Sequence, residues 1–413
     1  MKILHSADWH LGHQLHGYAR HYEHQQFLDW LLLQIDTQLV DVLVICGDVF
    51  DTANPSAASW EQLYSFLAKA ATRNPGLQVI VTAGNHDSPS KLNAPSSLIS
   101  HFDLHFVGSV VRHENGELDN ERLLIPLKTR DGQIQGWCIA APFLRSSDLQ
   151  LDPRIEDSSK RWQNAIQSLY AELGEAVDKR LEPEHCLIAL GHGHVSGGQI
   201  SELSERHVMI GGQHALPTTI FPERCDYVAL GHLHLAQQIK SDTAIFYSGS
   251  PIPLSISERN YKHQIKLVEF EERQLKLEPI YVPRVCDLLR VPKTASDFDS
   301  VLQALRDLEP FTGVEQAKPY LEVVIKLDKP QAQIRERVLE AIQDKNLRLA
   351  KISIEYSQGQ QDTQFAKSGQ KLSQLCATEV FELCYQQQYQ DQLDPKLMAA
   401  FQDVLTQVEQ SDL

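Results

Sequence analysis

Short apolar runs alternate with longer segments of helical spacing in the first part of the chain. Ile3-Leu4, Val42–Cys46 and Val79–Ala83 are strand-like runs, and residues 27–35 and 60–70 between them repeat apolar positions at helical spacing. Further strand-like runs are Trp137–Ala141, Cys186–Leu190, Tyr227–Leu230 and Ala244–Tyr247. The alternation predicts βαβ units and a layered α/β architecture.

Polar clusters stand where several of these runs end. They are Asp8-Trp9-His10, Gly47-Asp48-Val49-Phe50-Asp51, Gly84-Asn85-His86-Asp87 and Gly231-His232-Leu233-His234. In open α/β sheets ligands bind just beyond the carboxyl ends of strands, so position and residue type together predict a site. Oxygen and imidazole groups without cysteine indicate a hydrolytic centre for Mn²⁺, Fe²⁺ or Zn²⁺ rather than a structural zinc site.

The spacing within the clusters supports metal binding. Asp8 and His10 are two residues apart on extended backbone, so their side chains leave the same side of the strand. Asp48 could offer one carboxylate oxygen to each of two ions, as a binuclear centre requires. Each cluster alone would ordinarily be a helix cap or a turn, but turn chemistry does not require His and Asp paired at a spacing of two.

Composition limits the class of protein. The chain has 413 residues, of which 42% are hydrophobic, enough for two or three domains with a large core. Its seven cysteines are scattered without a C-x-x-C pair, which favours a reducing compartment such as the cytoplasm. The sequence shows no run of about 20 apolar residues and no signal peptide, so we expect a protein that lies outside the membrane. The net charge of -16 argues against a sequence-independent DNA coat protein but not against a DNA enzyme.

The sequence divides into three predicted domains. Residues 1–282 hold the clusters, and residues 283–357 form a small α+β domain in which strands near 285–291, 320–327 and 347–356 alternate with helices. Residues 358–413 are acidic and rich in glutamine. They contain an apolar stripe at Leu397, Phe401, Val404, Leu405 and Val408 that predicts a helical tail.

The clusters resemble the motif series of the calcineurin-like metallophosphoesterase superfamily, D-x-H, G-D-x-x-D, G-N-H-[DE], G-H and G-H-x-H, in that order. Within it, segments 3–12, 47–52 and 249–255 look like the SbcD family, the nuclease subunits of bacterial SbcCD complexes and relatives of Mre-type nucleases. The resemblance implies a layered metallophosphoesterase β-sandwich flanked by helices, with a capping domain that binds DNA.

The resemblance also implies a residue for each role. One Mn²⁺ would be held by Asp8, His10, Asp48 and His234, and the other by Asp48, Asn85, His192 and His232. His86 would act as the proton donor that is not a ligand, with Asp51 orienting its ring, and Asp87 would support the ligands from behind. His194 repeats the spacing of the G-H-x-H motif and competes with His192 for one position, although the place directly after Gly191 favours His192.

The resemblance implies a 3′–5′ exonuclease on duplex DNA that also cuts single strands and hairpins. It further implies that two copies of this chain form a homodimer within a heterotetramer. An SbcC-type coiled-coil ATPase would bind the tail, and the protein would join the nucleoid on DNA. Two alternatives remain open: a phosphatase built on the same core, and a catalytically inactive scaffold. Against the phosphatase, Thr52 stands where the phosphatase pattern has Arg.

Overall fold

The structure is a computed structural model that describes residues 1–96, 102–199, 215–271, 274–328 and 331–356, together with Thr378, Phe381, Tyr385, Met398 and Phe401. The predicted helical tail at 358–413 otherwise lies outside the described residues. Within the tail, the rings of Phe381 and Phe401 stack with centroids 4.1 Å apart.

The described secondary structure follows the predicted alternation. The strands are β1 Lys2–Ser6, β2 Gln14–Leu15, β3 Tyr18–Ala19, β4 Val42–Cys46, β5 Gln78–Thr82, β6 Leu104–Val107, β7 Leu124–Lys128, β8 Ile134–Ala140, β9 Cys186–His192, β10 Tyr227–Gly231, β11 Gln237–Ile239, β12 Ala244–Tyr247, β13 Gln264–Glu271, β14 Gln274–Tyr281, β15 Leu288–Ser296, β16 Tyr320–Leu327 and β17 Arg348–Tyr356. The helices are α1 His21–Gln38, α2 Ala57–Arg73, α3 Pro89–Asn93, α4 Asn120–Leu123, α5 Ser158–Asp178, α6 Phe298–Arg306 and α7 Ile334–Ala341, with 3₁₀ turns at Ser146–Asp148, Thr218–Ile220, Ile256–Asn260 and Glu315–Ala317.

Strand β4 shows why the chain forms layers. Every side chain of β4 is buried, and side chains alternate across a strand. Val44 and Cys46 therefore face one hydrophobic core, whereas Leu43 and Ile45 face another. A strand buried on both faces lies inside a layered structure, which explains its continuous apolar run.

Two six-stranded sheets form the larger domain. The first has the order β14-β13-β1-β4-β5-β6 and the second the order β11-β12-β10-β9-β8-β7. Their facing sides enclose one core, while α1 and α2 pack on the outer side of the first sheet and α5 on the outer side of the second. The predicted layered sandwich flanked by helices is confirmed.

The strands that carry the site are parallel within each sheet. Strand β4 pairs in parallel with β1 and β5, and β9 pairs in parallel with β10. Their carboxyl ends consequently meet at one edge of the sandwich, where the predicted clusters lie.

Residues 288–356 form a separate three-stranded parallel sheet of order β15-β16-β17. Helices α6 and α7 pack on it around a hydrophobic core of its own. A small second cluster that includes Leu15, Ile256 and Tyr320 joins this domain to the sandwich. The Tyr320 hydroxyl also donates to Glu23 at 2.8 Å, and Glu23 pairs with the buried Arg20.

The composition gave expectations about membrane helices and about disulfides. None of the described helices is long and apolar enough to span a bilayer. Of the cysteines in the described part of the chain, Cys46, Cys138, Cys186, Cys225 and Cys286 are buried and form no disulfide.

Candidate metal centre

Main-chain hydrogen bonds fasten the loop after β1 to the loop after β4. The Asp8 amide donates to the carbonyl of Gly47 at 3.1 Å, and the His10 amide donates to that of Asp48 at 3.0 Å. In the second sheet His192 lies in register with Gly231. The sheet pairing therefore places the polar clusters side by side.

Several of these residues have a backbone conformation that residues other than glycine normally avoid. Asp8, His10, Asp48 and His232 have φ angles of 54°, 46°, 47° and 99°. Left-handed backbone is costly for residues other than glycine, and it concentrates at functional sites where the surrounding fold enforces it. Here it turns each side chain toward the common centre directly after its strand.

Glycines ahead of the polar residues permit the close approach of the loops. A Cβ atom on Gly47, whose φ is 80°, would lie 2.1 Å from Nδ1 of His192. A Cβ on Gly231 would lie 1.9 Å from the carbonyl oxygen of Cys46. Any larger residue at either position would push the two sheets apart at the site.

The first predicted ligand set comes together around Asp8. Asp8, His10 and His234 each offer an atom within 4.8 Å of the others. Oδ2 of Asp8 and Nε2 of His10 are buried and have no hydrogen-bond partner among the described residues. Burying a carboxylate oxygen or an imidazole nitrogen that has no hydrogen-bond partner costs free energy. A divalent cation would satisfy both atoms. The residues therefore fit a metal ion.

The second predicted set meets around the side-chain oxygen of Asn85. That oxygen lies 3.0 Å from Nε2 of His192 and 3.1 Å from Nδ1 of His232. The carbonyl of Cys46 accepts a hydrogen bond from Nδ1 of His192 at 2.9 Å, so Nε2 is the nitrogen left for a ligand role. Amide oxygen, carboxylate and imidazole form a donor set that suits first-row divalent metals.

Asp48 lies between the two sets. Its Oδ2 is 3.6 Å from Nε2 of His10 and 3.3 Å from Nε2 of His192. Its Oδ1 accepts a hydrogen bond from the main-chain amide of His86 at 2.9 Å. One carboxylate thus faces both imidazoles, the position that a bridging ligand occupies.

Charges in the cluster are strongly coupled. Burial alone would lower the pKa of His192, but the Asp48 carboxylate outweighs it and raises that pKa to about 9. Burial opposes ionisation of Asp48 as well, yet His192 holds the pKa of that carboxyl well below its usual range. Burial, with the positive charge of His192, lowers the pKa of His232 to about 3. The positive charge of His192 thus compensates the buried carboxylate of Asp48.

The ring of His86 lies beside the two sets and is partly exposed. Its Nδ1 donates to the main-chain carbonyl of Asp51 at 2.7 Å, which leaves Nε2 directed away from that contact. The Asp51 carboxylate instead accepts from Nδ1 of His10 at 3.2 Å. Asp51 therefore orients the His86 ring through its backbone, whereas its side chain orients His10.

His86 also approaches the metal ligands. It shares with His10 and Asp48 a group of possible ligand atoms that lie within 4.8 Å of one another. The distances thus leave both a proton-donor and a ligand role open to His86, and the metal content of a His86 variant separates the two roles.

Asp87 holds the loops behind the site. Its carboxylate accepts hydrogen bonds from the amides of Gly84, Val49 and Phe50 at 2.8, 3.1 and 3.0 Å. It does not reach the cluster of ligand atoms. Its contacts are those expected of a group that fixes the loops carrying Asp48 and Asn85.

Two supporting residues were not anticipated from the sequence. Glu258, which is fully buried, accepts a hydrogen bond from Nδ1 of His234 at 3.0 Å. Arg145 donates to the carbonyls of Gly84 and Asp87 at 3.1 and 3.0 Å. Glu258 lies just beyond segment 249–255, and no local sequence pattern links it or Arg145 to the site.

His194 lies apart from the metal-type groups. It lines a cavity next to the site together with Phe143, Trp162 and Tyr170. Neither ring nitrogen of His194 has a hydrogen-bond partner among the described residues. Of the two histidines in the repeated G-H-x-H spacing, His192 is the one placed among Asp8 and Asp48.

Comparison with known proteins supplies an independent view. The calcineurin-like phosphoesterase family matches residues 1–236, and the family described as type 5 capsule protein repressor C-terminal domain, SbcD_C, matches residues 284–389. The SbcD subunit of the SbcCD nuclease from Rhodobacter capsulatus is 37% identical over 86% of this chain and 87% of its own. The SbcD subunit of the Escherichia coli K12 nuclease is 32% identical over 92% of each chain.

Proposed function

Because the chain belongs to the calcineurin-like phosphoesterase family and, within it, to the SbcD subunits of SbcCD nucleases, we propose that it is the metal-dependent nuclease subunit of a DNA-processing complex. The observation that carries the proposal is the position of Asp48. Its Oδ2 lies 3.6 Å from His10 and 3.3 Å from His192, between two sets of possible ligands. This geometry supports a binuclear centre for phosphodiester hydrolysis.

We assign the two ligand sets as the motif pattern predicts them: Asp8, His10, Asp48 and His234 for one ion, and Asp48, Asn85, His192 and His232 for the other. Two bound divalent ions supply Lewis-acid catalysis and neutralise charge at a phosphodiester. We propose Mn²⁺ for both positions. The mixture of carboxylate, amide and imidazole donors supports Mn²⁺ but also accommodates Fe²⁺ and Zn²⁺.

The protein's own groups would orient the reaction and supply the proton. The Asp51 carbonyl accepts from Nδ1 of His86 and so keeps that nitrogen protonated, and in its imidazolium form the ring carries a second proton on Nε2 that it would deliver to the leaving oxygen. The Asp51 carboxylate and Glu258 accept from Nδ1 of His10 and of His234, which directs Nε2 of each ring toward the first set. Asp87 keeps the loops in place.

DNA is the proposed substrate, with residues 1–282 as the nuclease domain and 283–357 as a capping domain that binds DNA. We propose exonuclease action on duplex ends, in the 3′–5′ direction, and cleavage of single strands and hairpins. With a net charge of -16, the chain would depend on its bound cations and on local basic residues to hold the phosphates.

The proposed partner is an SbcC-type coiled-coil ATPase that binds the tail at 358–413, in a heterotetramer built on a homodimer of this chain. The apolar stripe in the tail suits helix-in-groove binding. The proposed location is the cytoplasm, with nucleoid association when the protein is bound to DNA; the cysteines in the described part of the chain form no disulfide, as a reducing compartment favours. A chain ending at Ser357 should remain folded and fail to co-purify with the ATPase, and continued co-purification would place the contact elsewhere.

A phosphatase of the same superfamily is the alternative enzyme. Thr52 stands where the phosphatase pattern has Arg, and a separately packed domain at 288–356 has no evident use on a small monoester. An inactive scaffold, the other alternative, would be expected to lose metal ligands. Here each predicted position retains a metal-type side chain, so the scaffold is the weaker alternative.

The direct test is a nuclease assay of the purified chain on linear duplex and hairpin DNA, with and without Mn²⁺ and with and without the ATPase. Mn²⁺-dependent fragments are expected, and a label at either end of the strand reports the direction of cutting. Release of phosphate from monoesters without DNA cleavage would favour the phosphatase. Absence of both activities in metal-loaded protein would favour the scaffold.

A further inference from the structure

A cleft opens where the sandwich joins the connection to the second domain. Its volume is about 380 Å³, and its lining includes segments Pro251–Pro253, Tyr261–His263 and Tyr281–Val285. Small-molecule sites are commonly a few hundred Å³ in volume, so the cleft has room for one planar ring.

The rim of the cleft carries aromatic and cationic side chains. Tyr281 is 54% exposed, and the ammonium group of Lys262 lies 5.9 Å from the centroid of its ring. Arg284 is exposed and donates to the carbonyl of Tyr261 at 3.4 Å. Aromatic faces beside Lys and Arg are the combination that holds unpaired nucleotides, because bases stack on the rings and phosphates pair with the cations.

A buried histidine belongs to the lining of the cleft. His263 is only 7% exposed, and its Nδ1 donates to the carbonyl of Ser250 at 2.8 Å. Its Nε2 is buried with no hydrogen-bond partner among the described residues. Burial lowers the pKa of His263, although the carbonyl groups of Ser250 and Glu258 oppose that shift.

The acidic residue in the lining does not oppose an anionic ligand. Glu23 is buried and is engaged by Arg20 and by the hydroxyl of Tyr320. Its charge is therefore compensated inside the protein, and the exposed charges among the lining residues are those of Lys262 and Arg284.

One residue connects the cleft to the metal centre. The amide of Ser250 donates to the carbonyl of His234 at 3.1 Å, while the carbonyl of Ser250 accepts from His263. The loop that closes the cleft is thus bonded to a predicted metal ligand.

We infer that this cleft binds one unpaired base of a single-stranded DNA segment, stacked on Tyr281, with its flanking phosphates on Lys262 and Arg284. The inference rests on the proposed nuclease function and adds a substrate subsite to it. It gives the enzyme a contact with an unpaired strand in addition to the metal centre.

The test is binding of a nuclease-resistant phosphorothioate oligonucleotide by fluorescence anisotropy in Mn²⁺, with a normal strand and a strand of abasic sites. Tyr281→Ala should weaken binding of the normal strand about tenfold, a typical loss for one stacked base. It should leave the abasic strand unchanged, and Tyr281→Phe, which keeps the ring, should bind as wild type. Equal loss on both strands, or loss on neither, overturns the stacking assignment.

The salt dependence of binding tests the role of Lys262 and Arg284. Lys262→Glu and Arg284→Glu should each reduce the salt dependence of binding by about one phosphate contact, whereas Lys179→Glu, an exposed lysine at the end of α5, should not. An unchanged slope in the cleft variants contradicts phosphate binding there.

Failure of this inference differs from failure of the proposed function. If the chain is no nuclease, the wild type itself leaves DNA uncut. If only the subsite is wrong, the wild type cuts DNA and Tyr281→Ala binds the normal strand with wild-type affinity.

Discussion

Glu258 accepts a hydrogen bond from Nδ1 of His234 at 3.0 Å, from a position with no solvent exposure. Burial works against ionisation of Glu258, but His234 outweighs it and lowers the carboxyl pKa to about 2. The other carboxylate oxygen accepts from the amide of Leu254 at 2.7 Å. A carboxylate fixed in this way holds the imidazole in the tautomer that presents Nε2 to a metal.

Glu258→Gln should therefore weaken metal binding at the set that contains His234 by about 10- to 100-fold, the usual effect of removing such a support. Calorimetric titration with Mn²⁺ measures the loss. Glu61→Gln, on the exposed face of α2, serves as the matched control. Wild-type affinity in Glu258→Gln would mean that the fold alone orients His234.

His86→Ala should remove catalysis while sparing the metal, because the proposal makes His86 a proton donor. The loss of kcat should be about 10²- to 10⁴-fold, as for a positioned general acid. Single-turnover cleavage and elemental analysis of the same preparation provide the two readouts. Loss of an ion would instead assign His86 as a ligand, the other role that its distance to His10 and Asp48 allows.

The two histidines after Gly191 should behave differently. His192→Ala removes a group whose Nε2 lies 3.0 Å from Asn85 and 3.3 Å from Asp48, so it should lower metal occupancy. His194→Ala should leave occupancy near that of the wild type, because His194 belongs to none of the groups of possible ligand atoms among the described residues. A metal titration showing the reverse order would move the ligand to His194.

His5 should make the core sensitive to acid. It is fully buried, its Nε2 donates to the carbonyl of Leu230 at 3.1 Å, and its Nδ1 lies 2.9 Å from the Tyr227 hydroxyl. Burial lowers its pKa to about 3, whereas an unfolded histidine titrates near 6.5. Below pH ~6.5 the unfolded chain takes up a proton that the folded chain does not, so stability falls as pH drops toward 3.

Urea unfolding between pH 7 and pH 5 tests this. For each unit by which the pH falls, the free energy of unfolding of the wild type should drop by up to about 1.4 kcal/mol more than that of His5→Gln, which is the value for uptake of one proton. His113→Gln, at an exposed histidine, should match the wild type. Parallel pH profiles for wild type and His5→Gln would show that His5 is not the group that titrates.

Much of the fold was predictable because its strands are buried on both faces. Strand β4 and strand β12 occupy the predicted residues 42–46 and 244–247, since a continuous apolar run indicates a central strand. Helix α5 was not predicted, although Asp157 caps it and Ile166, Leu169 and Leu173 give it helical spacing. The pairing of β1 with β13 depends on residues far apart in sequence, which local patterns do not encode.

The site shows the same division. Asp8, Asp48 and His232 were identifiable because a polar residue at the end of an apolar strand has a defined place in an α/β fold. Glu258 and Arg145 were not, because they reach the site from loops whose position is set by tertiary packing. The contact of the Asp51 carboxylate with His10, rather than with His86, likewise depends on the folded loops.

The most direct test of the binuclear centre is the metal stoichiometry of Asp48→Ala. Titration of metal-free wild type with Mn²⁺ should reach about two ions per chain. Asp48→Ala should fail to hold either ion tightly, because the carboxylate between His10 and His192 is gone. Asp29→Ala, at an exposed position on α1, should keep both ions. An Asp48→Ala chain that still binds about two ions would contradict the bridging role and the mechanism built on it.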